Sequence, residues 1–238
     1  AKTMLHDMYG KMLGSVLETD NIISNREIEN GYKKKGIYVR NLDFLNVEIT
    51  WLYQNMYFPS GLSDIIINLK KRFLVMPLGI HVSNYDDIAH SNILLYDRKR
   101  NMLERFEPNG SSMPSNYNYN DEMMDAILEK YFQRHIKGVK YLRPRHYLPK
   151  IGFQMYENMD IQRTKQINDP GGFCSAWCIW YVDKRIEYSK YDIEPKKLVE
   201  YLIRKIIYDN MSFKNIIRNY SKTITDIRDG LLSCQKMN

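Results

Sequence analysis

The stretch Gly171-Gly172-Phe173-Cys174-Ser175-Ala176-Trp177-Cys178, continued by Ile179, Trp180 and Tyr181, restricts the fold more than any other part of this chain. An apolar, aromatic run of this kind belongs in a core, and its length suits a helix. The two glycines ahead of it predict a loop that turns sharply and delivers Cys174 to the first helical turn. A helix N-terminus carries unpaired N–H groups and partial positive charge, which favour a thiolate there. Taken alone, two cysteines in a core helix read equally well as packing residues. A second segment, far upstream, shifts the balance.

That segment runs from Arg72 to Gly110. Phe73 to Ile80 is a short apolar run suited to a buried strand, and His90 to Asp97 is another. Arg98-Lys99-Arg100-Asn101 is a charged turn, Met102 to Glu107 returns as a third strand, and Pro108-Asn109-Gly110 ends it. His90 opens one arm of this hairpin and Glu107 closes the other. Antiparallel pairing therefore brings both to the same end of the sheet. A carboxylate beside a histidine orients the ring and stabilises its protonated form, and a histidine beside a cysteine takes its proton.

The order His90, then Glu107 within Phe106-Glu107-Pro108-Asn109-Gly110, then Cys174 with Cys178 four residues on, resembles the adenovirus maturation protease. It also resembles the wider clan of SUMO-type proteases, viral and bacterial deubiquitinating relatives and related giant-virus proteins. Papain-like enzymes run cysteine before histidine. The resemblance covers roughly half of the chain. It implies an α+β fold with a central mixed β-sheet flanked by helices, and a thiol peptidase or isopeptidase acting after glycine-containing tails. The implied substrates are ubiquitin, ubiquitin-like proteins or virion precursor proteins. It also implies an oxyanion site made of the Cys174 N–H and a side-chain amide, Gln166 or Asn168. No cofactor is expected; the DNA that the adenovirus relative uses as a cofactor is not carried over without matching residues. A single domain over 1–238 is expected, with core motifs at 72–188 and mostly helical additions at 1–71 and 189–238.

The sequence departs from the clan at three places. Ser91 follows the histidine where the clan has Trp, and Ser175 follows the nucleophile where the clan has Gly. Gln166 lies eight residues before the cysteine and Asn168 six, where the clan's glutamine lies six or seven before. The clan's substrate channel is closed by aromatic side chains. Trp51 and Phe173 are the candidates for that wall here, with Gly172 giving a substrate chain close approach. Trp177 and Trp180 are expected in the core.

Composition narrows the setting. Hydrophobic residues make up 44% of the 238, as in a globular domain. No apolar run approaches a membrane span and no signal peptide opens the chain, so a soluble protein of the host cytoplasm or a virion is expected. Three cysteines, at 174, 178 and 234, cannot all pair internally, which favours a reducing compartment. His6, His81, His135 and His146 are scattered, without zinc spacing. The net charge of +7 gathers in Lys33-Lys34-Lys35, Lys70-Lys71-Arg72 and Arg98-Lys99-Arg100. These read as solvated loops and helix ends; nucleic acid is the acidic partner they would otherwise suit, with no recognised motif for it. A monomer is expected. Helices are expected over Lys2 to Leu17, Gly61 to Arg72, Asp121 to His135, Ser175 to Tyr188, Glu194 to Asp209 and Ser212 to Asp229, the last stopping at Gly230. Gly138 to Leu148 reads as strand plus loop. Ser111 to Asn120 reads as a polar surface loop. Two other functions share this pattern: an acyltransferase with the same His, acid, Cys order, and an inactive binding module on the same fold.

Overall fold

The computed structural model describes residues 48–52, 54–59, 61–81, 89–112, 117, 119–160 and 172–234. The elements in chain order are β1 (Ile49–Leu52), β2 (Asn55–Tyr57), α1 (Leu62–Ile67), β3 (Phe73–His81), β4 (Ala89–Asp97), β5 (Met102–Phe106), α2 (Asp121–His135), β6 (Lys140–Leu142), α3 (Pro144–Tyr147), α4 (Phe153–Met159), α5 (Cys174–Glu187), a 3-10 turn (Tyr188–Tyr191), α6 (Pro195–Tyr208) and α7 (Phe213–Cys234). The strands form one mixed sheet in the order β2-β1-β3-β4-β5-β6. β1 with β3 and β5 with β6 are parallel, and the other pairs are antiparallel. This is the α+β class, a central mixed sheet flanked by helices.

β3 and β4 pair along nine residues each, from Phe73 opposite Asp97 to His81 opposite Ala89. Successive side chains alternate between faces. Phe73, Ile93, Leu95 and Phe106 pack with Trp177, Tyr181, Leu198, Leu202 and Ile217 of α5, α6 and α7. Leu74, Met76, Leu78, Ile80, Leu94 and Leu103 pack on the opposite face with Met124, Leu128 and Phe132 of α2. The sheet is thus buried on both sides, which is why its middle strands read as nearly continuous apolar runs.

Each face also buries charge contributed by β5. Glu104 is fully buried and accepts from Arg185 Nε and Tyr181 Oη, each at 2.7 Å. Arg105, on the opposite face, forks onto both oxygens of Asp125. Buried charges survive only when paired, and here each has its partner on the helix that covers its face.

The helical expectations for 121–135, 175–188 and 194–209 agree with α2, α5 and α6 to within a residue. Asn120 caps α2 by accepting from Met123 N, with acids in the first turn and Arg134 and His135 in the last. Three expectations are corrected. The described part of 1–71 supplies two strands of the sheet as well as the six-residue α1, because Ile49 and Trp51 continue the apolar face of β3 as its parallel neighbour. α7 runs through Gly230 to Cys234: glycine weakens a helix without forbidding it. A short helix, α3, takes the place of the loop expected within 138–148, and a second, α4, follows in a stretch for which no element was expected. The segment 2–17 and Lys33-Lys34-Lys35 lie outside the described residues.

The other two basic clusters are tied into the fold. Arg72 forks onto Asp97 at 3.0 and 2.8 Å, and Arg98 donates to the Lys70 carbonyl. Arg100 holds Asp192 and Glu194, joining the hairpin turn to the entry of α6. Among the described residues no helix is long and apolar enough to cross a membrane.

Candidate active site

The site forms where β4 begins, β5 ends and α5 starts. His90 is the second residue of β4 and is 1% exposed. Continued one step past Ile93 opposite Phe106, the hairpin register sets Glu107 opposite Asn92 and diagonal to His90 on the same face. Glu107 Oε1 and Oε2 lie 2.7 and 2.9 Å from His90 Nε2. Nδ1, the other ring nitrogen, is buried without a hydrogen-bond partner among the described residues. Cys174 is the first residue of α5, half-buried, with Phe173 at the N-cap position. A thiol there faces the positive end of a four-turn helix.

The electrostatics agree with the geometry. Burial works against the His90 charge, but Glu107 and the neighbouring thiol raise its pKa to about 9. Burial raises Cys174, and the His90 ring with the Ser91 backbone and hydroxyl outweigh it, lowering the thiol to about 7. Burial likewise pushes Glu107 up, and the imidazolium together with its hydrogen-bond donors holds it below the usual carboxylate range. Those donors are Asn92 Nδ2 at 2.8 Å, Asn109 N at 2.9 Å, Asn109 Nδ2 at 3.1 Å and Tyr119 Oη at 3.3 Å. Cys178, one turn further along α5, is 2% exposed, donates to the Ser91 carbonyl at 3.4 Å, and is pushed well up by burial. The two thiols four residues apart therefore sit in sharply different surroundings, one half-buried beside the imidazole and one enclosed.

The acid is held in place by two chain segments crossing at close range. Pro108-Asn109-Gly110 lies against the entry of α4, with Gly152 N donating to Asn109 O at 2.7 Å and Gln154 N to Pro108 O at 2.9 Å. A Cβ on Gly152 would stand 2.3 Å from Gly110 N and 2.5 Å from Asn109 C. Gly110 itself has φ +102°, a region that favours glycine.

Ser91 and Ser175, the two residues that depart from the clan beside the histidine and the cysteine, touch each other, Oγ to Oγ at 2.6 Å. With Cys178 on the Ser91 carbonyl, they fasten the first turns of α5 to β4. Trp51 is 1% exposed in the core beneath α2, so its ring offers no surface to a substrate. Phe173 is 5% exposed and packs into the core on the α5 side. Gly172 is exposed, and a Cβ there would meet Gln154 Nε2 at an ordinary 3.5 Å. Gln166, Asn168 and Gly171 lie outside the described residues.

Several side chains at the site escaped the sequence reading. Asn92 and Asn109 bind the acid. Tyr117 lays its ring against His90, centroids 4.7 Å apart, and Tyr119 reaches Glu107. Both tyrosines come from the segment read as a polar surface loop, where the alternation Tyr117-Asn118-Tyr119-Asn120 was the available signal. Gln154, 7% exposed on α4, brings an amide beside the loop that leads to Cys174. Nothing in its own segment marks it, since a backbone crossing puts it there. Among the described residues no group of three or more His, Cys, Asp or Glu is placed to hold a metal.

No protein-family model matches the chain. It is 41% identical over 237 residues to the putative ankyrin repeat protein L371 of Acanthamoeba polyphaga mimivirus; the match takes in 94% of this chain and 30% of that protein's length. In this chain the described elements form a sheet with flanking helices and not a stack of helical repeats. Among solved structures, ChlaDub1 of Chlamydia trachomatis aligns over 93% of this chain and 88% of its own, with 12% identity and a TM-score of 0.40. The Chlamydia trachomatis effector Cdu1, solved bound to ubiquitin, aligns over 86% and 88%, with 10% identity and a TM-score of 0.36. The Legionella pneumophila effector RavZ aligns over 63% and 42%, with 13% identity and a TM-score of 0.38.

Proposed function

We propose that this chain is a cysteine peptidase or isopeptidase, with Cys174 as nucleophile, His90 as general base and acid, and Glu107 as the group that orients His90. The observation that carries the reading is the imidazole's division of labour. Both Glu107 oxygens hold Nε2, and Nδ1 is left for the thiol of Cys174 at the start of α5. At pH 7 the imidazole is largely protonated and about half of the thiol is thiolate. The thiolate attacks the scissile carbonyl carbon, and the oxyanion is stabilised by the Cys174 N–H together with a side-chain amide from Gln166, Asn168 or Gln154. His90 gives its proton to the leaving amine, leaving a thioester on Cys174. His90 then takes a proton from the water that hydrolyses that thioester. The acyltransferase and inactive-module alternatives share the fold, but no feature of the site favours either.

The proposed substrates are proteins with glycine-containing tails: ubiquitin, a ubiquitin-like protein or a viral precursor. That class comes from the sequence resemblance. The reading treats 1–238 as one protease domain working in the host cytoplasm or a virion. The test is a panel of ubiquitin-like proteins carrying a C-terminal electrophile, reacted with the protein and with Cys174→Ala. One or more probes should form an adduct at Cys174 and none with the variant. If iodoacetamide labels Cys174 while every probe fails, the proposed substrate class is wrong.

A further inference from the structure

His90 is not the sole partner of Glu107. Asn92 follows His90 by two residues on the same face of β4 and is 2% exposed. Its Nδ2 donates to Glu107 Oε2 at 2.8 Å, while its Oδ1 accepts from Arg105 Nη1 at 2.6 Å. Arg105 in turn places Nε and Nη2 on the two oxygens of Asp125 at 2.7 and 2.9 Å. Tyr141 closes the far end, donating to Asp125 at 2.6 Å. The chain of contacts runs from α2 through β5 and β4 to the acid beside the histidine.

The relay has a direction. An asparagine amide can turn either end toward a carboxylate, and the oxygen end would repel Glu107. A guanidinium has only donors, so Arg105 accepts the oxygen end alone on its side. With Arg105 locked by Asp125, the Asn92 nitrogen must face Glu107. Each donor on a carboxylate spreads its charge and weakens its hold on any one partner.

We propose that Asn92, oriented by the buried Arg105–Asp125 pair, is a positioning residue that fixes Glu107 and limits how strongly its carboxylate retains the His90 proton. The proposal rests on the reading of Cys174, His90 and Glu107 as a thiol-activating set. Its value to such a set is plain: an imidazole that never releases its proton cannot activate the water that clears the thioester.

The titratable and charged groups facing the acid and the ring come from several elements. They are Cys174 and Cys178 on α5, Tyr117 and Tyr119 on the loop, Arg105 on β5, Asp125 on α2 and Tyr141 on β6. Asp121 stands near Tyr119. Replacing Asn92 leaves every one of them in place.

The experiment follows the His90 imidazole by NMR through a pH titration of the full chain with labelled histidine. With five histidines in the chain, His90→Gln assigns the signal. Asn92→Ala should raise the His90 midpoint by about half a pH unit, a roughly threefold change in proton affinity. Asp125→Asn, which unlocks Arg105 and frees the Asn92 amide to turn, should move it the same way. A general loosening parts His90 from Glu107 and instead lowers the midpoint toward 6.5 in either variant. A midpoint in Asn92→Ala that is unchanged, or that falls, overturns the proposal. If Asp125→Asn does not fold, Asn92→Ala alone decides. Failure of every electrophile probe would overturn the proposed substrate class, and failure of iodoacetamide to label Cys174 the peptidase reading; either leaves this titration result standing.

Discussion

Cys174 and Cys178 are one turn apart on the same helix, yet only one is placed to react. Cys174 is half-buried beside His90, and Cys178 is enclosed under the Ser91 carbonyl. Replacing His90 by Ala should return the Cys174 thiol from about 7 toward its ordinary 9. The thiolate fraction at pH 7 would then fall from about one half to about one hundredth, slowing alkylation by roughly fiftyfold. Limited iodoacetamide labelling with site mapping checks both the rate and the site. An unchanged rate, or a label on Cys178, would remove His90 from its role. A second residue-level expectation concerns Trp51, which the sequence proposed as a channel wall. The ring is core, so Trp51→Ala should cost about 3–5 kcal/mol of stability in a urea melt. The ratio of turnover between peptides ending Gly-Gly and Ala-Gly should stay as in the wild type. A changed ratio at unchanged stability would restore the wall.

At the scale of elements, the decisive contact joins the turn after β5 to the start of α4. Gly152 stands where backbone meets backbone, and none of the atoms around it is the end of a flexible side chain. Gly152→Ala must therefore displace Pro108-Asn109-Gly110, and with it the hydrogen bonds from Asn109 to Glu107. Overpacking of this kind costs about 1–3 kcal/mol, and here it also moves the acid. We expect a lower melting temperature together with slower Cys174 alkylation at neutral pH. Gly172→Ala is the control, since its added methyl meets only Gln154 Nε2 at 3.5 Å. If Gly152→Ala melts and alkylates like the wild type, the crossing does not position the site.

For the whole molecule, the ion pair leaves a mark on stability against pH. His90 is raised from 6.5 to about 9, so its contribution is complete below pH 6.5 and is lost as pH rises toward 9. Cys174 is lowered from 9 to about 7, so its contribution is complete above pH 9 and is lost as pH falls toward 7. Between 7 and 9 the two slopes oppose each other. The folded chain keeps one proton on the imidazole, and the unfolded chain keeps one on the thiol. Stability from this pair should therefore be nearly flat across that window in the wild type. Cys174→Ala removes one side of the balance. Glu107 still raises His90, so the folded variant holds a proton that the unfolded one releases. Its stability should fall as pH climbs above 6.5, with a slope of up to about 1.4 kcal/mol per pH unit. Urea melts at three pH values in that range check this, and a flat variant would contradict it.

The sequence by itself determined the parts whose information is local. Alternation and apolar runs marked β3, β4 and β5, because a strand buried on both faces has few polar positions to spare. Capping and charge bias marked α2, and the apolar run after Cys174 marked α5. Hairpin pairing is also near-local, so the meeting of His90 and Glu107 could be read from strand ends. Tertiary structure decided the rest. Trp51 and Phe173 are aromatic near the motifs, but face and depth depend on which helix covers them, and both are core. Asn92, Asn109 and Gln154 carry no local signature, and the Tyr-Asn alternation around Tyr119 does not say what the ring faces. They matter because β4, the turn after β5, the loop before α2 and the start of α4 converge on one carboxylate and the loop before one thiol. Side-chain period fixes which face a residue takes within its own strand. What stands opposite that face is set by long-range packing, which no window of sequence contains.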